Sequence, residues 1–194
     1  MAPIASMRAR ARRRLRLAGE GVPACATLYR VEHLRIFRAL NAEHVRYLVV
    51  GGLAVVVHGH PRFTADIDLV VALDPENARR VVDVLGREGF RPRAPVPLSA
   101  FADAAERARW VEEKGLIALS LWNPSVPLAE VDLFVKEPFA FDDHYGRAHE
   151  VSIGGERVRV IAREDLIAMK RAAGRPKDLD DVRVLESLYD GTPS

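Results

Sequence analysis

Residues 47–71, YLVVGGLAVVVHGHPRFTADIDLVV, contain the pattern around which the rest of the chain is organised. The apolar run 47–50 predicts a buried strand, and residues 53–58, after Gly51 and Gly52, predict a short helix. A second strand follows the break at residues 59–61, and in it Asp66 and Asp68 alternate with apolar residues. A period of two places both carboxylates on one face of that strand.

Two neighbouring acids on a buried strand are energetically unfavourable, because each loses hydration and each repels the other. A hydrophobic core gains nothing from such a pair, whereas a divalent cation is attracted by it. We therefore interpret Asp66 and Asp68 as candidate metal ligands. The alternative interpretation is a βαβ core whose acidic strand end is solvated.

The arrangement resembles the signature of the nucleotidyltransferase (polymerase β-like) superfamily. The shared features are an apolar run, Gly-Gly, thirteen residues, and then Asp and apolar residues in alternation. The local sequence R-x-T-x-D-I-D-L, with Arg62 and Thr64 before the acids, resembles the AbiEii/AbiGii abortive-infection toxins and related small bacterial transferases. The resemblance implies an α/β (α+β) fold, with a mixed twisted β-sheet flanked by helices and C-terminal helices that close the site.

A further predicted strand, residues 130–136, reads EVDLFVK and also carries acids at a period of two. The resemblance implies that Asp132 is the third carboxylate of the metal site. Glu130 faces the same way and is the rival candidate. An edge strand with a solvated acid is the remaining alternative.

Residues 166–185, LIAMKRAAGRPKDLDDVRVL, resemble the closing motif of the same family. The resemblance implies that Lys170 reaches the triphosphate of a bound nucleotide, and that the corner between two helices is lined by Arg175, Lys177, Asp178 and Asp181. A substrate with several phosphate charges needs a cation besides the metal ions. A solvated basic turn between helices is the alternative.

Three carboxylates without an activated Ser, Cys or His argue against acyl transfer and suit two-metal phosphoryl chemistry. We expect an enzyme that moves NMP from an NTP to an acceptor hydroxyl and releases pyrophosphate. It would use two Mg²⁺ ions, with Mn²⁺ as the alternative metal. Gly51 and Gly52 would leave room for the phosphates, Arg62 and Thr64 would contact substrate, and Asp132 would accept the proton.

The acceptor is left open by the sequence. By resemblance it is a tRNA 3′ end, a protein hydroxyl or a small molecule such as an aminoglycoside. The toxin-like C-terminal motif favours tRNA, with the protein as the toxin half of a toxin–antitoxin pair and a cognate antitoxin as partner. A catalytically inactive member that only binds nucleotide or a partner is the alternative.

Charge is unevenly distributed along the 194 residues. The net charge is +2, but residues 1–16 carry six arginines and no acid, so the remainder sums to −4. We predict a basic, disordered tail at residues 1–27, a nucleotidyltransferase core at 28–161 and a C-terminal helical segment at 162–194. Cys25 is the only cysteine, which excludes an internal disulfide.

The cytoplasm is the expected location, with no membrane partner. No apolar segment follows the arginines, so we expect no signal peptide. The longest apolar run, residues 48–57, is too short to cross a bilayer.

Patterns elsewhere predict the remaining elements. Helices over 28–44 and 75–88 should cover one side of the sheet, and residues 149–161 read as a hairpin. The proline-rich segment 90–98 predicts an irregular loop, and residues 99–114 predict a helix or, alternatively, a mobile flap. The last helix should bury a stripe made of Leu179, Val182, Leu185 and Leu188.

Overall fold

The computed structural model describes residues 24–126 and 129–190. The predicted tail therefore lies mostly outside the described residues. The helices are α1 (Ala24–Ala42), α2 (Gly51–Val57), α3 (Pro75–Arg87), α4 (Ala104–Lys114), α5 (Phe141–Arg147), α6 (Arg163–Ala173) and α7 (Pro176–Asp190). The strands are β1 (Tyr47–Val49), β2 (Asp66–Val71), β3 (Arg91–Pro92), β4 (Ala118–Trp122), β5 (Glu130–Phe134), β6 (His149–Ile153) and β7 (Glu156–Val160).

The seven strands form one mixed sheet in the order β3-β4-β5-β2-β1-β7-β6. Strand β2 lies at its centre, antiparallel to β1 and parallel to β5. The outer pairs β3–β4, β4–β5 and β6–β7 are antiparallel, whereas β1–β7 is parallel. The mixed sheet and the helices around it confirm the predicted fold class.

The alternation in β2 produces the expected two faces. Ile67 and Leu69 are completely buried, while Asp66 and Asp68 on the opposite face are only half-buried. Val131 and Leu133 of β5 continue the buried face. The central strands therefore direct their apolar side chains into one core and their acids away from it.

Helix α3 begins and ends as its sequence predicts. The Asp74 carboxylate accepts a hydrogen bond of 2.9 Å from the Asn77 backbone N–H, and Pro75 occupies the first turn. Gly89, just beyond the helix, has a φ of +87°. Helices α1 and α3 contact each other, as expected of two helices that cover one side of the sheet.

Two predictions for residues 90–114 were wrong in detail. Arg91 and Pro92 form a short edge strand against β4, because a proline that lacks an N–H is tolerated at a sheet edge. The predicted helix over 99–114 is divided at Asp103, whose side chain caps α4 by accepting from the Ala105 N–H at 2.8 Å. The buried Phe101 and Trp110 pack this segment on the core and do not favour the flap.

The stripe predicted for α7 was also wrong at its ends. Val182 and Leu185 are buried, but Leu179 is 39% exposed and Leu188 is 46% exposed. In an α-helix each residue rotates by about 100°, so a step of three residues falls about 60° short of a full turn. After three such steps the lag is about 180°, and the first and fourth leucine or valine positions point in opposite directions. Only the middle of such a stripe can face the core.

None of the described helices has the length and the apolar composition needed to cross a membrane.

Candidate active site

The structure brings Asp66, Asp68 and Asp132 together on one face of the sheet. Each offers a carboxylate oxygen, and these atoms all lie within 4.8 Å of one another. Strands β2 and β5 run parallel in a register that sets Asp68 opposite Asp132 and Asp66 opposite Glu130. Glu130, the rival third ligand, forms an ion pair with Arg93. The cluster is therefore made of three aspartates from two adjacent strands.

The three carboxylates destabilise one another in their ionised form. Burial raises the pKa of Asp68 to about 6, and the charges of Asp66 and Asp132 add to the effect. The N–H of Gly52 and the charge of Lys170 act in the opposite direction. Burial also raises the pKa of Asp132, against a hydrogen bond from Ser120. The site thus holds negative charge that a cation would neutralise.

The two glycines allow the backbone to lie directly against this cluster. Gly51 has a φ of +61°, and a Cβ atom there would be 1.8 Å from Oδ2 of Asp68. A Cβ on Gly52 would be 2.4 Å from Oγ1 of Thr64 and 2.6 Å from Nη2 of Arg62. The Gly52 N–H donates to Oδ2 of Asp68 at 3.3 Å. The glycines therefore position Asp68 and make room for its neighbours.

A substitution at Gly51 can separate steric collision from backbone strain. We expect Gly51→Ala to displace Asp68 and to lower nucleotidyl transfer on the order of 100-fold. Gly115 is the matched control, since its φ is +58° and nothing lies within 4 Å of a Cβ there. Both alanines carry a left-handed penalty of about 1 kcal/mol. Equal losses of activity and stability in the two variants would contradict the role given to the collision.

Arg62 and Thr64 connect the cluster to the C-terminal helices. Oγ1 of Thr64 donates to Oδ1 of Asp66 at 2.8 Å, which fixes that carboxylate from the residues before β2. Nε of Arg62 lies 3.5 Å from Oδ1 of Asp181 on α7. His60, in the same loop, has Nε2 at 4.0 Å from that oxygen. Of the two predicted contact residues, Thr64 therefore lies against the acid cluster, and Arg62 contacts α7.

Lys170 is buried, with only 5% of its surface exposed. Its Nζ lies 3.1 Å from Oδ1 of Asp178 and 2.8 Å from Oδ2 of Asp181, and both carboxylates are buried as well. Although burial opposes ionisation, hydrogen bonds from Arg175 and Lys170 lower the pKa of Asp178. Lys170 thus joins α6 to α7 through two ion pairs. Its predicted role at the triphosphate stays a prediction.

Arg175 is the exposed cation that faces the acids. Its side chain is 62% exposed, and its Nε donates to Asp178. That hydrogen bond raises the pKa of Arg175, and the charges of Asp68 and Asp66 raise it further. Lys177, two residues further along in the first turn of α7, is exposed to solvent. Arg175 therefore combines access to solvent with proximity to the acid cluster.

Sequence reasoning missed the residues that support Asp132 from the neighbouring strand. Ser120 lies opposite Asp132 in the β4–β5 register and hydrogen-bonds to it through its side chain. His33 of α1 is a second omission: it is buried, and its Nε2 lies 3.3 Å from the Ala65 carbonyl oxygen, next to Asp66. The strand register could have indicated Ser120. Nothing in the local sequence indicates His33.

The histidine pair at 58 and 60 does not form a metal site. His58 lies at the end of α2, and its Nε2 is 2.8 Å from the Ile161 carbonyl oxygen. Burial lowers its pKa. Within residues 24–126 and 129–190, the cluster of acids and histidines suited to a metal ion is Asp66, Asp68 and Asp132.

A mixed sheet with three clustered carboxylates beside the Gly-Gly start of α2 is the arrangement that the nucleotidyltransferase resemblance implied. Residues 32–190 match the model of the family described as nucleotidyltransferase of unknown function (DUF6036). The chain belongs to this family. The match confirms the nucleotidyltransferase resemblance and supports an enzyme.

Solved structures share the fold. ANT(2″)-Ia, crystallised with adenylyl-2″-tobramycin, is similar with a TM-score of 0.54 at 16% identity, over 84% of this chain and 90% of that one. The lincosamide adenylyltransferase LnuA, bound to lincomycin, has a TM-score of 0.54 at 16% identity, over 81% of this chain and 96% of that one. TM1012 of Thermotoga maritima, a proposed nucleotidyltransferase, is similar with a TM-score of 0.51 at 17% identity. The similarity covers 83% of this chain and 95% of that one. A search of curated proteins finds no match.

Proposed function

We propose that this protein transfers NMP from an NTP to an acceptor hydroxyl with divalent-metal dependence. The observation that carries the proposal is the cluster of Asp66, Asp68 and Asp132, whose carboxylate oxygens lie within 4.8 Å of one another. In the reaction, the acceptor oxygen forms a bond to the α-phosphorus as the bond to the bridging oxygen breaks. Pyrophosphate leaves, and the acceptor proton is released.

The residues present fit a metal site. Hard divalent cations such as Mg²⁺ and Mn²⁺ prefer oxygen ligands, and the cluster offers three carboxylates with mutually unfavourable charge. Asp66, Asp68 and Asp132 would hold the metal, with two Mg²⁺ ions as the proposed content. Bound metal would neutralise phosphate charge and lower the pKa of the acceptor hydroxyl.

The chain's own residues take distinct roles in this proposal. Asp132, whose pKa burial raises, accepts the proton of the acceptor hydroxyl. Arg175 binds the phosphates, because it is an exposed cation that interacts electrostatically with Asp66 and Asp68. Thr64 orients Asp66, and Ser120 orients Asp132. Lys170 holds α6 and α7 in the arrangement that brings Arg175 to the site.

Arg175 gives a prediction for nucleotide binding. We expect Arg175→Gln to weaken NTP binding about tenfold or more, since a hydrogen bond to a charged group contributes roughly 1.5–3 kcal/mol. Arg183, also exposed on α7 and paired with Asp180, provides the control variant Arg183→Gln. Isothermal titration at fixed Mg²⁺ measures both. An affinity within twofold of wild type for Arg175→Gln would remove Arg175 from the phosphate site.

The acceptor and the biological role also belong to the proposal. We keep a tRNA 3′ end as the first acceptor, and the toxin half of a cytoplasmic toxin–antitoxin pair as the role, on the resemblance of the R-x-T-x-D-I-D-L and C-terminal motifs. The small antibiotics seen with ANT(2″)-Ia and LnuA supply the competing acceptor class. A catalytically inactive nucleotide-binding protein is disfavoured by the complete set of acids.

Transfer of label tests the proposal. The purified protein is incubated with each α-³²P-labelled NTP and Mg²⁺, Mn²⁺ or EDTA, in the presence of tRNA, cell-extract protein, or an aminoglycoside and a lincosamide. We expect a labelled acceptor with metal and none with EDTA. The variant Asp66→Asn is the inactive control. Absence of transfer to every acceptor, together with absence of metal-dependent NTP binding, would overturn the proposal.

A further inference from the structure

We infer that the acceptor docks on the sheet face beside Asp132, next to Trp122 of β4, Arg91 of β3 and Arg93 just after β3, and that this face fits the 3′ end of a single-stranded nucleic acid. The inference rests on the proposed function. It adds the place of the acceptor and the chemistry that recognises it.

The side of approach follows from the order of the strands. The groups suited to phosphate lie on the β1 side of Asp68, because α2 follows β1 and packs on both β2 and α6, and Arg175 follows α6. Strands β5, β4 and β3 lie on the other side. In an in-line displacement the nucleophile and the leaving pyrophosphate are on opposite sides of the α-phosphorus. With pyrophosphate toward Arg175, the hydroxyl arrives across Asp132 from β4.

The strand register places three further side chains on the acid face. Ser120 lies opposite Asp132, and Trp122 lies opposite Glu130, in the β4–β5 pair. Arg91 lies opposite Trp122 in the β3–β4 pair. Cross-strand partners project from the same face of a sheet. The residues between them in β4, Leu119 and Leu121, are buried on the other face.

These side chains offer an aromatic surface with cations beside it. Trp122 is 37% exposed, whereas Trp110 is 4% exposed and belongs to the core. The guanidinium carbon of Arg93 lies 5.6 Å from the centre of the Trp122 ring, and Arg93 also pairs with Glu130. Arg91 is exposed, and its side chain has no ion pair among the residues that the structure describes. Stacking surfaces flanked by arginine bind single-stranded nucleic acid.

Charge and position favour a polymer over a cationic antibiotic. The charge of Arg93 is compensated by Glu130, whereas Arg91 attracts phosphate and repels ammonium groups. Strand β3 is at the edge of the sheet, so a strand of nucleic acid can continue past it while its terminal base stacks on Trp122. The terminal hydroxyl then lies toward Ser120 and Asp132.

Binding of a labelled RNA tests the inference. The probe is a hexaribonucleotide with a 5′ fluorescein and a free 3′ hydroxyl, and its anisotropy is followed with the full chain. We expect Trp122→Ala to weaken binding on the order of 10- to 100-fold, and Trp122→Phe to keep affinity within about threefold of wild type. Arg91→Gln should reduce the slope of log affinity against log salt by about 0.7, the value for one phosphate contact on a single strand.

Control variants distinguish RNA binding at this face from RNA binding elsewhere on the protein. Arg79→Gln, an exposed arginine on α3, should leave both affinity and salt slope unchanged. Residues 1–16 can also hold RNA through their six arginines, so quenching of Trp122 fluorescence by RNA, taken as the difference between wild type and Trp122→Phe, provides the local measurement. Thermal melting of each variant confirms that it is folded.

The outcomes separate this inference from the proposed function. Mg²⁺-dependent binding of NTPs should stay within twofold of wild type in every variant at 91 and 122. If it does and Trp122→Ala binds RNA as wild type does, the acceptor face is wrong while the proposed function stands. Trp122-dependent binding of tobramycin without binding of RNA would also overturn the inference. Absence of Mg²⁺-dependent NTP binding to wild type would overturn both.

Discussion

Asp68→Asn is expected to abolish nucleotidyl transfer and, at the same time, to stabilise the metal-free protein. Metal ions contribute several kcal/mol of transition-state stabilisation, so loss of one ligand should lower the rate on the order of 1,000-fold. Asparagine has nearly the same shape and can still accept the Gly52 N–H through its carbonyl oxygen. It removes a negative charge from a site that holds three acids.

The size and pH dependence of the stabilisation follow from the pKa of Asp68. The fold raises this pKa from 3.8 to about 6, so the fold favours the neutral acid. Below about pH 3 the group is protonated whether the chain is folded or unfolded, and its contribution is small. As pH rises from about 3 to about 6 the metal-free fold loses stability, and above pH 6 the full loss of about 3 kcal/mol applies. Asparagine avoids this loss.

Urea denaturation in EDTA measures the effect. We expect Asp68→Asn to be more stable than wild type by up to about 3 kcal/mol at pH 7.5, with a difference near zero at pH 3. Added Mg²⁺ should stabilise wild type and leave the variant unchanged. Asp83→Asn, an exposed acid on α3, is the control and should lie within about 0.5 kcal/mol of wild type. A variant that is less stable at pH 7.5, or that retains transfer, would contradict this account.

Lys170→Met is expected to be the most destabilising of the substitutions considered. Removal of the ammonium leaves the carboxylates of Asp178 and Asp181 buried without their shared cation. Loss of one partner of a buried ion pair destabilises a protein by about 3–5 kcal/mol. If Lys170 were instead exposed on the helix and available to bind phosphate, its substitution would change the free energy of unfolding by about 0.5 kcal/mol or less.

Matched variants identify the cause. Lys177→Met, an exposed lysine seven residues further along, should unfold at the same urea concentration as wild type. The double variant Lys170→Met with Asp181→Asn should recover part of the loss, because one of the two uncompensated charges is gone. A Lys170→Met protein as stable as wild type but with weakened NTP binding would restore the triphosphate role first expected for Lys170.

Local patterns were sufficient for the central elements. The alternation of Asp66 and Asp68 with apolar residues predicts a strand with one acidic face, because successive side chains in any strand point to opposite sides. Asp74 and Pro75 predict the start of α3, since a cap and a first-turn proline act within a few residues. The period-two pattern of β5 likewise placed Asp132 on a polar face, and the resemblance placed it beside the other two acids.

Contacts between distant residues were decided by the tertiary structure. The sequence led us to expect Lys170 at the triphosphate of a bound nucleotide, with a solvated basic turn as the alternative, whereas packing of α6 on α7 buries it between two acids that are eight and eleven positions away. Glu130 and Asp132 are equivalent by spacing, and only the pairing of Glu130 with Arg93, which follows β3, separates them.

The sequence by itself determined the central elements and their acidic faces, because those depend on periodicity and on residues close together in the chain, and the resemblance of its motifs indicated the family. Only the tertiary structure decided which charges are paired, that Gly51 lies against Asp68, and that Trp122 is exposed. Burial and ion pairing depend on which elements meet, and the apolar pattern of one element does not specify its partner.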